Sequence, residues 1–183
     1  MWPLQVVSRW FSIRLLAAAL AAITGALGPA AARAATRGDT VSLMFTSQAD
    51  LAYAPSTLGL TAEYKHPLGE QLRLAVGVGF GTRENANAVQ IYGGPQLRLG
   101  RSQVLDFDVG IGAAVPMQFL SGTTAVAVAA RAAASLRWHW GLTRAVMPFA
   151  EASVLAGSMV APGNVSPGFY SAFLAMIGMS YAI

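Results

Sequence analysis

The sequence predicts an all-β fold: a closed, eight-stranded, antiparallel up-and-down β-barrel that crosses a membrane with its strands, set behind a cleavable signal peptide. Three observations carry this. The chain is 55% apolar and only 11% charged, too greasy for disorder and for an ordinary water-facing surface. After residue 39 the apolar residues return at every second position, the period of a strand whose two faces differ. The positions between them hold charged or very small residues, which suit a narrow polar interior. At 183 residues the chain has room for one domain of ordinary size.

Residues 1–34 read as an export signal. Arg9 and Arg14 precede the apolar run Leu15 to Leu27, and the small-residue stretch Pro29 to Ala34 ends in Ala32-Arg33-Ala34, an Ala-x-Ala cleavage pattern. Cleavage there makes residues 35–183 the barrel domain. The competing reading is a retained helical anchor, because Leu15 to Ala32 carries no charge over 18 residues, about the length of a span. Its alanine-rich character and the Gly28-Pro29 break favour removal. Beyond the leader, nine Lys+Arg stand against eight Asp+Glu, a near balance that argues against nucleic-acid binding, whose footprint is a basic face. The absence of Cys excludes thiol catalysis, thiolate metal sites and disulfides.

Strands are expected at 40–48, 56–66, 71–82, 88–99, 104–115, 124–139, 145–158 and 169–183. The third is the clearest, with Leu72, Leu74, Val76, Val78 and Phe80 alternating with Arg73, Ala75, Gly77 and Gly79. In the fifth, Leu105, Phe107, Val109, Ile111, Ala113 and Val115 alternate with Asp106, Asp108, Gly110 and Gly112. The sixth holds the run Ala125 to Ala134, a helix by propensity alone, which the Val126 and Val128 alternation and the flanking strands turn to β. In the eighth, Phe173, Ala175, Ile177, Met179, Tyr181 and Ile183 alternate to the last residue. Tight links at 66–70, 99–103 and 140–143 fall between longer ones at 49–55, 83–87, 116–123 and 158–168, which puts short turns on one side of the barrel. Pro95 and Pro148 each remove a ladder donor inside a strand, so bulges or early strand ends are expected there.

Glu63, Lys65, Arg73, Arg98, Asp106, Asp108, Arg131, Arg137 and Glu151 all fall on the face opposite the apolar series. They share it with Gly77, Gly79, Gly81, Gly110, Gly112, Ala127 and Ala129, small enough for a crowded lumen. The apolar face is therefore read as lipid-exposed, where a Lys or Arg at midplane costs about 2–4 kcal/mol. Eight strands enclose a space that side chains just fill. The five basic and four acidic groups are accordingly expected to pair in a lumenal charge network. The run Gly77 to Gly81 lacks the spacing and the helix of a nucleotide loop; it opens lumenal room for Gln90, Tyr92 and Gln96 and eases strand curvature. Tyr64, Trp138, Trp140 and Tyr181 near the short-turn end, with Phe80, Phe119, Phe169 and Tyr170 toward the loops, are placed as interfacial girdles. Aromatic packing under loops is the plainer alternative.

The final segment Gly178-Met179-Ser180-Tyr181-Ala182-Ile183 resembles the terminal assembly signal of outer-membrane β-barrels, carried here by Gly178, Tyr181 and Ile183. Met176 and the final Ile depart from the polar residue and Phe usual there. With the leader, the eight strands and the alternating links, the whole mature chain resembles the small eight-stranded OmpA/OmpX-type barrels. That resemblance implies a Gram-negative outer-membrane location with short turns in the periplasm. It also implies contact with outer-membrane lipid and lipopolysaccharide, delivery to the barrel-assembly machinery through the C-terminal strand, and a monomer. The function expected is a structural, envelope-integrity role with a porin-like but plugged polar lumen.

The residues offer no catalytic, cofactor-binding or metal-ligating set. His66 and His139, the two histidines, read as interfacial or solvated, and the scattered carboxylates form no ligand cluster. Some outer-membrane barrels are lipid A deacylases that use a Ser/His pair and an acid on the lipid-facing wall. Ser135, His139 and Glu151 are the nearest equivalent here, at the wrong end, facing inward and without the His-x-Ser spacing. Asp50, Arg83 and Glu84 are read as solvated loop charges, with a calcium or lipopolysaccharide site as the alternative. The expectation is a non-enzyme; the alternatives are a lipid A-modifying barrel enzyme and a narrow channel for small solutes.

Overall fold

A computed structural model describes residues 38–50, 57–83, 86–102, 104–120, 123–139, 146–160 and 168–183. They form β1 (Thr40–Asp50), β2 (Thr57–Pro67), β3 (Leu72–Arg83), β4 (Ala86–Arg101), β5 (Leu105–Leu120), β6 (Thr123–Trp138), β7 (Val146–Val160) and β8 (Phe169–Ala182). Each strand pairs antiparallel with the next, and β8 pairs with β1 from Thr40↔Ala182 to Asp50↔Ala172, closing the barrel. Residues 1–34, expected to be an export signal, and Trp140 and Glu84 lie outside the described residues.

The two faces separate as the alternation requires. Leu74, Val76, Val128, Val154 and Ile177 point outward and are exposed, with Ile111 and Phe45 at 70%. Arg73, Asp108 and Arg131, on the alternate positions, are buried. A soluble barrel would reverse this arrangement. An outer wall of large apolar side chains fits hydrocarbon, and a closed barrel leaves no unpaired edge in it.

The alanine-rich segment is a strand because its backbone is paired on both sides, with β5 and with β7. Tertiary pairing overrides helix propensity. The alanines also have a use: Ala125, Ala127, Ala129 and Ala133 are buried on the inner face, where larger side chains would collide.

Two hairpins correct the expected links. β3 ends at Arg83 and β4 starts at Ala86; β5 runs through Pro116 to Leu120 and β6 starts at Thr123. The links expected at 83–87 and 116–123 are therefore tight, and the regular alternation of long and short connections disappears. The ladder simply continues, with Ala86 opposite Leu120 and Arg83 opposite Ala86.

The prolines sit where a ladder lapses. Pro116 faces Gln90 on β4, while Val115 and Pro116 have no partner on β6. Pro95 faces Leu74 on β3, while Gly94 and Pro95 have no partner on β5. The bulge expected at Pro95 lies instead between Arg98 and Gly100. Pro148 stays in register with Met179, one position past the last β6–β7 pair, Arg137↔Phe149. Each missing N–H thus meets a gap or an end of one ladder, which is how a closed sheet tolerates proline.

At Gly94 and Gly112, which meet across β4 and β5, a Cβ would run into the backbone of the neighbouring strand. These are glycine kinks of the kind that bend strands around a small barrel.

The interior is only partly polar. Met44, Leu155, Leu174, Met176, Tyr170 and Ala172 form a buried apolar cluster, with Met159 packed against it. Beside the charges expected in the lumen, β8 carries apolar residues on both faces, so Leu174 and Met176 have nowhere to go but inward.

Candidate functional site

All nine charged residues singled out from the alternation project into the barrel, and they fall into two groups. The first is a mid-lumen quartet. Adjacent inward positions on β2 present Glu63 and Lys65, and Arg131 on β6 and Glu151 on β7 complete it. Lys65 Nζ lies 3.0 Å from Glu63 Oε1 and 3.8 Å from Glu151 Oε2. Arg131 Nη2 pairs closely with Glu151 Oε1 and stands 4.0 Å from Glu63 Oε2. The Tyr92 hydroxyl donates to Glu63 Oε2 at 3.2 Å, and the Arg131 guanidinium lies 4.0 Å from the centre of the Tyr92 ring. Two cations thus balance two carboxylates. Tyr92 fits because Gly77 faces it in the β3–β4 register, where any Cβ would strike its ring.

The second group lies toward the β2–β3, β4–β5 and β6–β7 connections. Arg137 Nη2 donates to Asp108 Oδ2 at 2.5 Å, and Arg73 Nη1 lies 3.5 Å from the same oxygen. Arg98 stands 3.8 Å from both Asp106 and Asp108. Between the groups sits Phe149, with Lys65 Nζ 4.7 Å and Arg137 Cζ 5.7 Å from its ring centre.

Both histidines, read as interfacial or solvated, also meet carboxylates. His66 Nδ1 is 2.7 Å from Asp39 Oδ1 and His139 Nε2 is 3.2 Å from Asp106 Oδ2. Sequence reasoning missed both pairs, since Asp39 precedes β1 and His139 follows β6.

Beyond the quartet, toward the other mouth, the lumen turns uncharged. Thr46, Gln48, Thr57, Thr61 and Gln90 line it beside Gly79 and Gly81. Thr46 and Thr61 share a hydroxyl hydrogen bond of 2.6 Å, and Gln48 Nε2 donates to the Tyr170 hydroxyl at 3.0 Å. Tyr170 is therefore an interior residue and no part of an aromatic belt: Phe169 faces out, so its neighbour must face in. Gln96 owes its inward space to Gly110, where a Cβ would come within 2.6 Å of Gln96 Cγ.

On the outer face, Tyr64, Tyr181, Phe119 and Phe169 are exposed, while Phe80 and Trp138 are half-buried. Gly178 pairs with Met44 on β1 and with Phe149 on β7. Tyr181 faces outward, and the Ile183 N–H donates to the Asp39 carbonyl at 3.0 Å. Ser135, His139 and Glu151 do not assemble into a catalytic set. Ser135 is buried on the inner face, Glu151 is taken by Arg131 and Lys65, and His139 is held by Asp106. None of them reaches the lipid-facing wall. Among the described residues no group of three or more His, Asp or Glu is placed to hold a metal ion.

No protein-family model matches the chain, and no curated protein is significantly similar to it in sequence. Solved structures do resemble it. Neisserial surface protein A superposes with a TM-score of 0.59 at 8% identity, over 79% of this chain and 96% of that one. The N-terminal β-barrel domain of Pseudomonas aeruginosa OprF gives 0.53 at 14% identity, over 79% and 97%. The Pseudomonas aeruginosa outer membrane protein OprG gives 0.51 at 10% identity, over 80% and 96%. At such identities the likeness is one of fold. The chain has the fold of the small eight-stranded outer-membrane β-barrels of Gram-negative envelopes, and its outward apolar wall places it in that membrane.

Proposed function

We propose that the protein is a closed, non-conducting barrel with a structural, envelope-integrity role, its lumen plugged by the two charge groups on either side of Phe149. The observation that carries this is the burial of the quartet: the side chains of Glu63, Lys65 and Glu151 are 0% exposed. An ion entering this region must part paired charges and shed water, at an effective cost of several kcal/mol per ion. The apolar cluster around Leu155 and Leu174 adds a dry stretch of lumen that offers an ion no ligands.

The same reading makes the protein a non-enzyme and a monomer. Its wall contacts outer-membrane lipid and lipopolysaccharide, the assembly machinery engages β8 through Gly178, Tyr181 and Ile183, and nucleic acid is no partner. Recording from single barrels in a planar bilayer tests the closed lumen. No stable conductance is expected, and steady openings of porin size would overturn the proposal. Lipid A mass in expressing cells tests the absence of catalysis. An unchanged profile is expected; loss of one acyl chain, abolished by His139→Ala, would establish an enzyme instead.

A further inference from the structure

The charge group at the mouth nearest the β2–β3 and β4–β5 turns is not balanced as the quartet is. Arg73, Arg98 and Arg137 face Asp106 and Asp108; the nitrogens nearest those two aspartates are Arg137 Nη2 at 2.5 Å from Asp108 and His139 Nε2 at 3.2 Å from Asp106. The remaining nearby carboxylate, Asp39, is engaged by His66 at 2.7 Å. Arg73 and Arg98 keep only the longer ion pairs, at 3.5 Å to Asp108 and at 3.8 Å to Asp106 and Asp108. Arg73 Nη1 and Arg98 Nε are buried without a hydrogen-bond partner, and Arg98 comes no nearer than 3.8 Å to any carboxylate oxygen with which it forms an ion pair. Both residues line a cleft of about 590 Å³ at this mouth, together with Gln71, Gly69 and Gly100. Glu70 also lines it but is exposed on the turn, where water screens its charge.

We propose that this cleft binds a phosphate-sized oxyanion between the Arg73 and Arg98 guanidinium groups. Three guanidinium groups share two aspartates, and an anion from outside offsets the excess positive charge and accepts hydrogen bonds that Arg73 and Arg98, at 3.5–3.8 Å, do not make to them. Two planar guanidinium forks match the oxygen geometry of a tetrahedral anion better than a point charge does. The Arg98–Gly100 bulge redirects the end of β4 beside the cleft. The anion is either free in solution or the phosphate of a lipid headgroup, since the chemistry recognised is the same.

The test uses the whole barrel with ¹⁵N-labelled arginine. In uncharged maltoside micelles, inorganic phosphate is titrated against chloride at equal ionic strength while the Arg Nε–H resonances are followed. In a second arm, nanodiscs of neutral phosphatidylcholine are compared with nanodiscs containing phosphatidylglycerol. Saturable movement of the Arg98 resonance with phosphate identifies a free anion. Movement only with phosphatidylglycerol identifies a headgroup. No saturable response in either arm, or a response equal to that of chloride, overturns the site. Arg98→Gln and Arg73→Gln should each weaken the response about tenfold or more, with Arg83→Gln at the opposite rim as the unaffected control. If both weakened variants bind within about twofold of wild type, the assignment to these two side chains fails. If a variant does not fold, displacement of phosphate by sulfate on the wild-type barrel decides the question: competition supports the site, and its absence overturns it.

Discussion

Replacing Arg131 with methionine removes one of the two cations of the mid-lumen quartet while keeping much of the side-chain volume. Arg131 is the closest partner of Glu151, lies 4.0 Å from Glu63 and covers the Tyr92 ring. In its absence Lys65 alone faces two buried carboxylates. An ion pair at ~4 Å is worth about 4 kcal/mol at an effective dielectric constant of ~20, and stranding one member of a buried pair costs about 3–5 kcal/mol. Arg131→Met should therefore destabilise the barrel by about 3–5 kcal/mol. Adding Glu151→Gln restores balance, leaving Lys65 with Glu63 at 3.0 Å, and the double variant should recover to within about 1 kcal/mol of wild type. Urea unfolding in uncharged lipid vesicles measures both, followed by tryptophan fluorescence and by the mobility difference between unboiled and boiled samples. A single variant within about 1 kcal/mol of wild type, or a double variant less stable than the single, refutes charge balance as what holds the quartet.

Three further outcomes are expected. Ile111→Arg puts a charge on an outward position that is 70% exposed and should cost about 2–4 kcal/mol in the same vesicle assay if Ile111 faces hydrocarbon; a neutral result would place it in water. Gly178→Ala drives a Cβ into the Leu43 carbonyl and the Met44 backbone, whereas Gly69 has nothing within 4 Å. Refolding yield should collapse for the first and stay at wild-type level for Gly69→Ala, and equal yields would show that β1 and β8 can separate without penalty. Gly77→Ala pushes the Tyr92 ring off its place beside Glu63 and should cost about 1–3 kcal/mol by overpacking; Gly77→Ala combined with Tyr92→Ala should lose that increment, as a double-mutant cycle would read.

Much of this architecture is written in local sequence. The two-residue repeats of β3 and β5 state which side chains face out, and that one fact places Arg73, Asp106 and Asp108 in the lumen. The pairings within the lumen are not written there. Arg131 and Glu151 meet because β6 and β7 are neighbours with Arg131 opposite Leu155, a register set by the whole barrel. Pro116 marked a loop by its ordinary habit, yet β5 passes through it, because a lapse of two residues in one ladder is enough to accommodate the ring. The inward apolar residues Leu155, Leu174 and Met176 were illegible for a different reason. When both faces of a strand are apolar, alternation carries no signal about which one is inside. The two His–Asp pairs join residues at strand ends, where boundaries are read least well.

The pairing of β1 with β8 also bears on how the barrel forms. The buried Ser42 and Ser180 hydroxyls share a hydrogen bond of 3.0 Å across 138 positions of the chain. Seven of the eight seams join consecutive strands through connecting segments, and each such hairpin can zip locally. The last seam has no tether to guide it and must wait for the others, so the search for it dominates the folding time. The first and last staves should accordingly gain amide-exchange protection together and late, and a lesion in either should slow insertion more than an equal lesion in β4.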